Sequence, residues 1–368
     1  MIDKVRAIVA LSFVFSSFGL MAQNQDKPLD PAGYVTKYNP AFAGIGPKVY
    51  VLPPPRTKEE ELVDFYKEKK GFYDSIARQL DFQSAVDDYK FTTNASFLRK
   101  NYNPFPTSDQ DWNALMTNTE QSNNNALVAG LANEYAYSLL QKGDINKTLA
   151  VLTRGLNAAQ ASGSGEKMAL EHNLANAYLL SGNLNEASRM QESFLKKAVD
   201  NRESIDQANT LVRIALVQAY TKSYKAAENT IIRKAIPIYN KTKNHAGKVF
   251  ALLSLSRIYQ LQNKHTEAQW FLIQARDLAN SRNLEKDLPE IEFMLAYSKY
   301  VQENYKVAVA EFEKARTLAE NENNKVLKLA IHDKLGDIYL RLGNFKEAEK
   351  ELASYWQLRR ELFQSSEG

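Results

Sequence analysis

The sequence predicts an all-α fold, a solenoid of about six helical hairpins preceded by an extended arm and a helical cap. Five alanines recur at spacings of 40, 41, 40 and 40 residues: Ala187, Ala227, Ala268, Ala308 and Ala348. Each follows the start of an amphipathic helical run, and a fixed period near 40 residues is typical of stacked helical hairpins. Seven of the eleven prolines lie between Pro28 and Pro55, so the repeat region contains few helix breakers.

The N-terminus, residues 1–22, predicts a secretory signal peptide. Lys4 and Arg6 precede an apolar stretch over residues 7–20, and polar residues begin at Gln23. Cleavage near Ala22-Gln23 would leave the protein periplasmic or secreted. An uncleaved membrane anchor is the alternative. We favour cleavage because the stretch is shorter than the ~20 apolar residues that span a bilayer comfortably.

The composition excludes several classes of function. The chain has 47 Lys and Arg against 43 Asp and Glu, a net charge of +4 that falls to +3 without Asp3, Lys4 and Arg6. A nucleic-acid-binding protein usually needs a denser basic surface. The chain contains no cysteine, which excludes disulfides, thiol catalysis and a lipid-attachment cysteine. No later segment approaches membrane-spanning length, so we expect no integral membrane segment after cleavage.

The segment of residues 23–56 predicts a proline-rich extended arm. Proline lacks an amide donor and restricts the residue before it, so most of this segment cannot be helical. Large apolar side chains such as Tyr34, Tyr50 and Val51 suggest that the arm packs against a protein surface. It either lies along the solenoid of its own chain or binds another protein in trans.

Residues 57–125 predict an N-terminal helical cap and a connector. Thr57 is a candidate helix cap, followed by acidic residues that favour a helix N-terminus. Leu62, Phe65 and Tyr66 begin an apolar face at helical spacing that continues over residues 71–80. Residues 91–125 are rich in asparagine and read as a connector with a short helix around Trp112. Such a cap would shield the first hairpin.

The last copy of the repeat is the clearest. Its sequence runs from Leu335 and Gly336 through Tyr339 and Gly343 to Ala348, and it resembles the core of a tetratricopeptide repeat (TPR). Gly336 and Ala348 are small where the two helices cross, and Gly343 suits a left-handed residue that ends the first helix. The resemblance implies a right-handed superhelix over residues 126–368.

The other copies match this pattern less completely. The first has Thr148 in place of the small alanine, and the third, around Ala215, predicts a turn shortened by about two residues. The period exceeds the usual ~34 residues, as in the long repeats of kinesin light chains, and we expect the extra residues to lengthen the second helix and the connection. At the C-terminus, Trp356, Leu358 and Leu362 either are solvated by neighbouring charges or are covered by another molecule.

The resemblance also implies a concave face lined by the first helices. Positions next to the helix crossing, and one turn away from it, would form a partner-binding groove. The candidate residues are Tyr137, His172, Asn176, Arg257, Phe293, Tyr297, Tyr300, Asp333, Asp337 and Arg341. Tyrosine and arginine often anchor interfaces, and asparagine can bind a peptide main chain.

No catalytic or metal-binding constellation is recognisable in the sequence. The four histidines lack the spacing of metal ligands, and we interpret His332 as a packing or hydrogen-bonding residue. We therefore expect no enzyme activity, cofactor or metal. The leading hypothesis is an exported adaptor or scaffold whose TPR array binds a protein or peptide, such as a cell-envelope complex. The alternative is a glycan- or small-ligand-binding protein of an outer-membrane uptake system.

Overall fold

The computed structural model describes residues 35–39, 48–52, 57–69, 81–163 and 165–363. The chain divides into two compact units, Met1–Asp64 and Phe65–Gly368. The predicted signal peptide, residues 1–22, lies outside the described residues. So do most of the predicted arm and the predicted apolar face over residues 71–80.

The described part of the arm forms a two-stranded antiparallel hairpin. Strand β1 is Val35–Asn39 and strand β2 is Lys48–Leu52. Val35 pairs with Leu52 and Asn39 pairs with Lys48 at the two ends of the ladder. The extended conformation agrees with the proline-based prediction, but the pairing of two strands was not anticipated.

Helix α1, Lys58–Lys69, begins at the predicted cap. The amide of Glu60 donates to Thr57 Oγ1 at 3.2 Å, and the amide of Thr57 donates to Glu60 Oε2 at 3.1 Å. This reciprocal pair is a capping box, which satisfies two amide donors that the first helical turn leaves unbonded. Thr57 is therefore confirmed as the cap, and Leu62 is buried as its spacing predicts.

Between α1 and the hairpins the described residues contain three further helices, and the last two lie in the region predicted as a connector. Residues 81–87 form helix α2, followed by α3, Ala95–Asn101, and α4, Asp109–Gln121. Helix α4 is longer than the short helix predicted around Trp112. The Trp112 indole is buried and stacks on Tyr135 with ring centroids 5.0 Å apart. The connector thus completes the hydrophobic core of the first hairpin.

Six helical hairpins follow, which confirms the predicted number. The first helices are α5 Asn125–Gln141, α7 Lys167–Leu180, α9 Ser204–Tyr220, α11 His245–Leu261, α13 Leu288–Val301 and α15 Lys325–Arg341. The second helices are α6 Ile145–Ser162, α8 Leu184–Asp200, α10, α12 His265–Ser281, α14 Tyr305–Asn321 and α16 Phe345–Phe363. Helix α10 runs continuously through Tyr224–Thr230, a π-helical stretch Ile231–Ala235 and Ile236–Thr242, and a 3-10 turn, Glu285–Asp287, precedes α13. Each helix packs against the next along the chain.

The 40-residue period follows from the lengths of these elements. Helices α11 and α12 have 17 residues each, and the turn between them, residues 262–264, has three. Two such helices and two such turns span 40 residues. The expectation that the extra residues lengthen the second helix and the connection was therefore incomplete, because both helices are long and the turns are short.

The recurring small residues lie where the helices of a hairpin cross. All five periodic alanines have no exposed surface, and Thr148, at the same position in the first hairpin, is also fully buried. A small side chain lets two helices approach closely, and the surrounding apolar side chains fill the space beside the contact. Burial of the alanines confirms the register on which the hairpins were predicted.

The predicted shortening of the third turn is wrong. Residues 221–223 form a three-residue turn, and the amide of Ser223 donates to the carbonyl of Gln218 at 2.8 Å. The bond from Asn344 to Tyr339 in the last hairpin is equivalent and also 2.8 Å long. Lys222 takes a left-handed φ of 64°, the role of Gly343 in the last hairpin. The turn lacks glycine but keeps the same geometry.

In the part of the chain that the structure describes, no helix is both long and apolar enough to cross a membrane.

At the C-terminal end, Trp356, Leu358 and Leu362 are half-buried. His332, predicted to pack or hydrogen-bond, is buried and its Nδ1 lies 2.5 Å from Glu351 Oε2.

Candidate functional site

The first helices of successive hairpins line a groove in the unit Phe65–Gly368. Its first half, beside α5, α7 and α9, is occupied by residues 81–94 of the same chain, which leave a smaller cavity of about 440 Å³ beside Asn176 and Arg213. We call these residues the inner segment. Its second half, beside α9, α11, α13 and α15, contains a cavity of about 850 Å³, which we call the open cavity. The predicted site residues fall into three groups according to this division.

Two asparagines hold the main chain of the inner segment. Asn173 accepts a hydrogen bond from the Lys90 amide at 2.9 Å and donates to the Lys90 carbonyl at 2.7 Å. Asn133 donates to the same carbonyl at 3.1 Å, and Asn173 donates to Asn133 Oδ1 at 2.9 Å. Because the bonds to Lys90 are made to its backbone atoms, they hold an extended chain whatever side chain that residue carries.

Asp88 anchors the segment electrostatically. Its carboxylate contacts the Arg213 guanidinium, accepts from Asn176 Nδ2 at 3.0 Å, and lies 3.4 Å from His172 Nε2. Burial alone would raise the pKa of Asp88, but Arg213 and His172 outweigh it and hold the pKa below its usual range. Burial, and then the charge of Arg213, lower the pKa of His172, which keeps this imidazole neutral at pH 7.

Aromatic rings pack the segment against the first hairpin. The Tyr137 ring lies 5.2 Å from that of Tyr89 and 4.9 Å from that of Phe91, centroid to centroid. The Tyr89 hydroxyl donates to the Asn133 carbonyl at 2.8 Å. The predicted groove residues Tyr137, His172 and Asn176 therefore contact the chain's own inner segment.

Arg257, Phe293, Tyr297 and Asp333 form the second group and line the open cavity. Arg257 donates to Glu290 Oε1 at 2.5 Å and lies 3.9 Å from Asp81 of the inner segment. The charge of Glu290 raises the pKa of the Arg257 guanidinium above its usual value. These four side chains come from three consecutive hairpins and line one cavity.

The aromatic pair gives the open cavity an apolar wall. Phe293 and Tyr297 lie one helical turn apart on α13, with ring centroids separated by 6.4 Å. Phe293 also contacts the buried ring of Phe312 at 5.7 Å, so it is fixed from behind. Asp333 lies 2.8 Å from the ammonium of Lys334 on α15. The cavity thus combines a rigid apolar surface with ionised groups.

The third group, Tyr300, Asp337 and Arg341, does not line the open cavity. The Tyr300 hydroxyl donates to Asp337 Oδ2 at 2.5 Å, and Arg341 Nε donates to the same oxygen at 2.9 Å. Burial and the bond to Asp337 raise the pKa of Tyr300. Arg341 also donates to the Tyr305 hydroxyl at 3.2 Å. These residues connect the fifth hairpin to the sixth at the rim of the groove.

Sequence reasoning missed Arg213, Asn173 and the whole inner segment. Arg213 lies two residues before Ala215 in the third hairpin, whose turn was predicted incorrectly. The 12-residue separation of Ala215 and Ala227 equals that of Gly336 and Ala348, so this signal could have fixed the register of the third hairpin, although the groove positions used in the other hairpins correspond there to Val212 and Leu216 and not to Arg213. No sequence signal indicated that residues 81–94 lie inside it.

The open cavity also contains an aspartate with an unusual titration. Burial and the neighbouring charge of Glu290 raise the pKa of Asp287 to about 6. Within the described ranges, no group of three or more His, Cys, Asp or Glu side chains is arranged to hold a metal ion. The ionisable side chains of the cavity are suited to binding a charged group of a ligand.

No protein-family model and no curated protein match this sequence. Several solved structures are similar to it. A Rap protein complexed with competence and sporulation factor has a TM-score of 0.54 at 14% identity, covering 82% of this chain and 78% of that chain. Aspartyl phosphate phosphatase F from Bacillus subtilis has a TM-score of 0.50 at 11% identity, with 83% and 76% covered. A kinesin light chain of Podosopora anserina with TPR-like repeats has a TM-score of 0.40 at 18% identity, with 52% and 94% covered. At these identities the similarity concerns the fold.

Proposed function

We propose that this chain, a helical repeat protein of the TPR type, is an adaptor that binds a protein or peptide partner through the open cavity. The observation that carries the proposal is the convergence of Arg257, Phe293, Tyr297 and Asp333 on one cavity of about 850 Å³. This volume lies within the ~300–1,000 Å³ of ordinary ligand sites and accommodates several side chains. Aromatic and arginine side chains are the most frequent anchors of protein interfaces.

A structural neighbour supports this proposal at the level of the fold. The similar Rap protein was solved in complex with competence and sporulation factor. That interaction belongs to the Rap protein. For this chain it supports only the idea that such a helical array can hold a partner.

We propose a non-enzymatic role because the ionisable side chains of the groove bind one another. Arg257 is paired with Glu290 and Asp88 with Arg213. A general acid or base needs a pKa near the working pH and access to a substrate proton. Asp287 has such a pKa, but among the described residues no hydrogen bond joins it to Ser84, a serine that lines the same cavity.

We further propose that the protein is exported and acts in the cell envelope. The support is the basic and apolar N-terminal sequence over residues 1–22. N-terminal sequencing of the mature protein from its own cells tests this proposal. A first residue of Gln23 is the expected result, and a retained Met1 would contradict cleavage.

The binding proposal is tested by a double substitution, Phe293→Ala with Tyr297→Ala. We expect loss of the partner that co-purifies from the envelope fraction, because both changes remove aromatic surface from the open cavity. Since Phe293 also contacts Phe312, circular dichroism and thermal unfolding are measured in parallel. The single change Tyr297→Lys, on a half-exposed side chain, provides a second variant that spares this contact.

The matched control removes two large apolar side chains elsewhere. Trp270 and Ile273 on α12 are 60% and 41% exposed and do not line the open cavity. The variant Trp270→Ala with Ile273→Ala is expected to retain the partner. If only this control loses the partner, the binding surface lies outside the groove and the proposal fails.

A further inference from the structure

The open cavity carries a surplus of negative charge. The inner segment contributes three carboxylates, Asp81, Asp87 and Asp88, to its lining. The hairpins contribute four more: Asp287, Glu290, Glu322 and Asp333. Against these seven carboxylates stand four basic side chains: Arg213, Arg257, Lys286 and Lys334. The fully ionised lining therefore has a net charge of −3.

Each of the four basic side chains is already beside a carboxylate. Arg257 lies 2.5 Å from Glu290, and Lys286 lies 3.3 Å from Asp87. Arg213 contacts Asp88, and Lys334 contacts Asp333. Asp287 and Glu322 make no ion pair within 4 Å among the described residues. These two carboxylates are therefore available to bind a cationic group of another molecule.

The first half of the groove shows how this protein holds a cationic side chain. Lys90 of the inner segment lies 2.6 Å from Asp206, and its ammonium lies 5.4 Å from the centroid of the Phe194 ring. Its main chain is held by Asn133 and Asn173. The groove thus binds a lysine of an extended chain through a carboxylate, an aromatic ring and side-chain amides together.

The open cavity offers the same three kinds of group. Asp287 and Glu322 provide carboxylates, Phe293 and Tyr297 provide aromatic rings, and Asn209 provides a side-chain amide on the lining. A lining that combines carboxylates with aromatic rings is complementary to a chain that alternates basic and apolar side chains.

We propose that the open cavity binds an extended segment of the partner that carries lysine or arginine next to an aromatic side chain. This inference rests on the proposed function and specifies its partner. The inner segment determines the preference, because Asp81, Asp87 and Asp88 form one acidic wall of the site. Filling the first half of the groove thereby makes the second half selective for cations.

The test uses labelled peptides and the intact protein. One peptide contains the sequence Lys-Phe-Lys between flanking alanines, and its match replaces each lysine with glutamine. Fluorescence anisotropy should show an affinity for the lysine peptide about tenfold or more above that for the glutamine peptide. The difference should shrink between low and high salt, because salt screens the carboxylates.

Substitutions locate the interaction. Asp287→Asn with Glu322→Gln should weaken binding of the lysine peptide about tenfold and leave the glutamine peptide unchanged. The matched control, Glu267→Gln with Asp277→Asn, removes two exposed carboxylates of α12 that do not line the cavity. This control should bind both peptides as the unaltered protein does.

Three results would overturn the inference. They are equal affinity for the two peptides, equal weakening by the control variant, and displacement of the lysine peptide by spermine at the same concentration as by unlabelled peptide. The last result would mean that charge alone, without the aromatic wall, determines binding. If the natural partner depends on Phe293 and Tyr297 but not on Asp287 and Glu322, the inference fails while the proposed function stands.

Discussion

Single small residues set the spacing of the helices in this protein. Ala308 has no exposed surface and lies at the crossing of α13 and α14, close to the buried Phe312. At such a contact the side chain contributes little apolar area of its own. Its small size lets the two helix backbones approach each other, so that the larger neighbouring side chains interlock.

Replacing Ala308 with leucine should therefore overpack the fifth hairpin. We expect the free energy of unfolding to fall by about 1–3 kcal/mol, the usual cost of forcing extra methylenes into a filled contact. Urea denaturation measures the change. Ala310→Leu on the same helix is the control, since Ala310 is exposed and should change stability by less than about 0.5 kcal/mol. Equal stability of the two variants would contradict the register.

The titration of Asp287 predicts a pH dependence of stability. Its pKa is about 6 in the folded protein, against 3.8 ordinarily. The folded state therefore holds the proton more tightly, so this stabilisation is complete below pH 3.8 and is lost as the pH rises through 6. Glu290, Glu322 and Asp87 raise this pKa and Lys286 lowers it.

Asp287→Asn should remove this loss. The variant and the unaltered protein should have equal unfolding free energies near pH 4, and the variant should be more stable at pH 7, by about 1 kcal/mol after solvent screening. Denaturation at both pH values is the measurement. A variant that is less stable at pH 7 would mean that the Asp287 carboxylate is stabilising in place.

For single residues, the sequence predicts where a side chain lies better than which residues it contacts. The burial of the alanines and the left-handed φ of 72° at Gly343 follow from local pattern. Tyr137 and Asn176 were predicted to line a groove for a partner, and in the structure they contact residues 88–91 of the same chain. Side-chain type cannot reveal which distant segment will fill a groove.

Among the structural elements, the six turns within the hairpins share one geometry. Their middle residues are left-handed in every case: Gly143, Gly182, Lys222, Asn263, Glu303 and Gly343. Only three are glycine, so half of the turns carry backbone strain that a Cβ atom causes. Because Lys222 takes the left-handed conformation in the third turn, that turn keeps its full length without glycine.

Exchanging residues at equivalent turns should change stability in opposite directions. Glu303→Gly relieves strain and should raise the unfolding free energy by about 0.5–1 kcal/mol, whereas Gly343→Ala should lower it by about 1 kcal/mol. A Cβ at Gly343 would meet nothing within 4 Å, so the loss is conformational and not steric. Thermal unfolding distinguishes the two. A stabilising Gly343→Ala would contradict the turn geometry.

The inner segment is held by a small number of polar contacts, and Asn173 makes two of them, both to the backbone of Lys90. Asn173→Ala should loosen the segment at a cost of about 1–3 kcal/mol, because it leaves the Lys90 amide without a partner and removes one of the two donors to the Lys90 carbonyl. Trypsin cleaves after lysine, so cleavage after Lys90 should become faster in the variant. Asn185→Ala, at an exposed position of α8, should not change the rate. Unchanged cleavage in both would show that other contacts hold the segment.

For the whole molecule, the repeat pattern predicts the number and order of hairpins because each hairpin contacts only its neighbours in sequence. The occupation of the groove was not predictable in this way. Lys90 and Asn173 are 83 residues apart, and their contact has no periodic signature. Local interactions define the array, whereas the shape of its free surface depends on long-range contacts.

The most direct test of partner binding in the second half of the groove is site-specific photo-crosslinking. A benzophenone amino acid is placed at Tyr297 or at Tyr137, equivalent positions in the fifth and first hairpins, and the protein is irradiated in an extract of its own cells. We expect a discrete intermolecular adduct from position 297 and only intramolecular products from position 137, where Tyr89 and Phe91 already cover the side chain. An intermolecular adduct from position 137, with none from position 297, would contradict the proposed site.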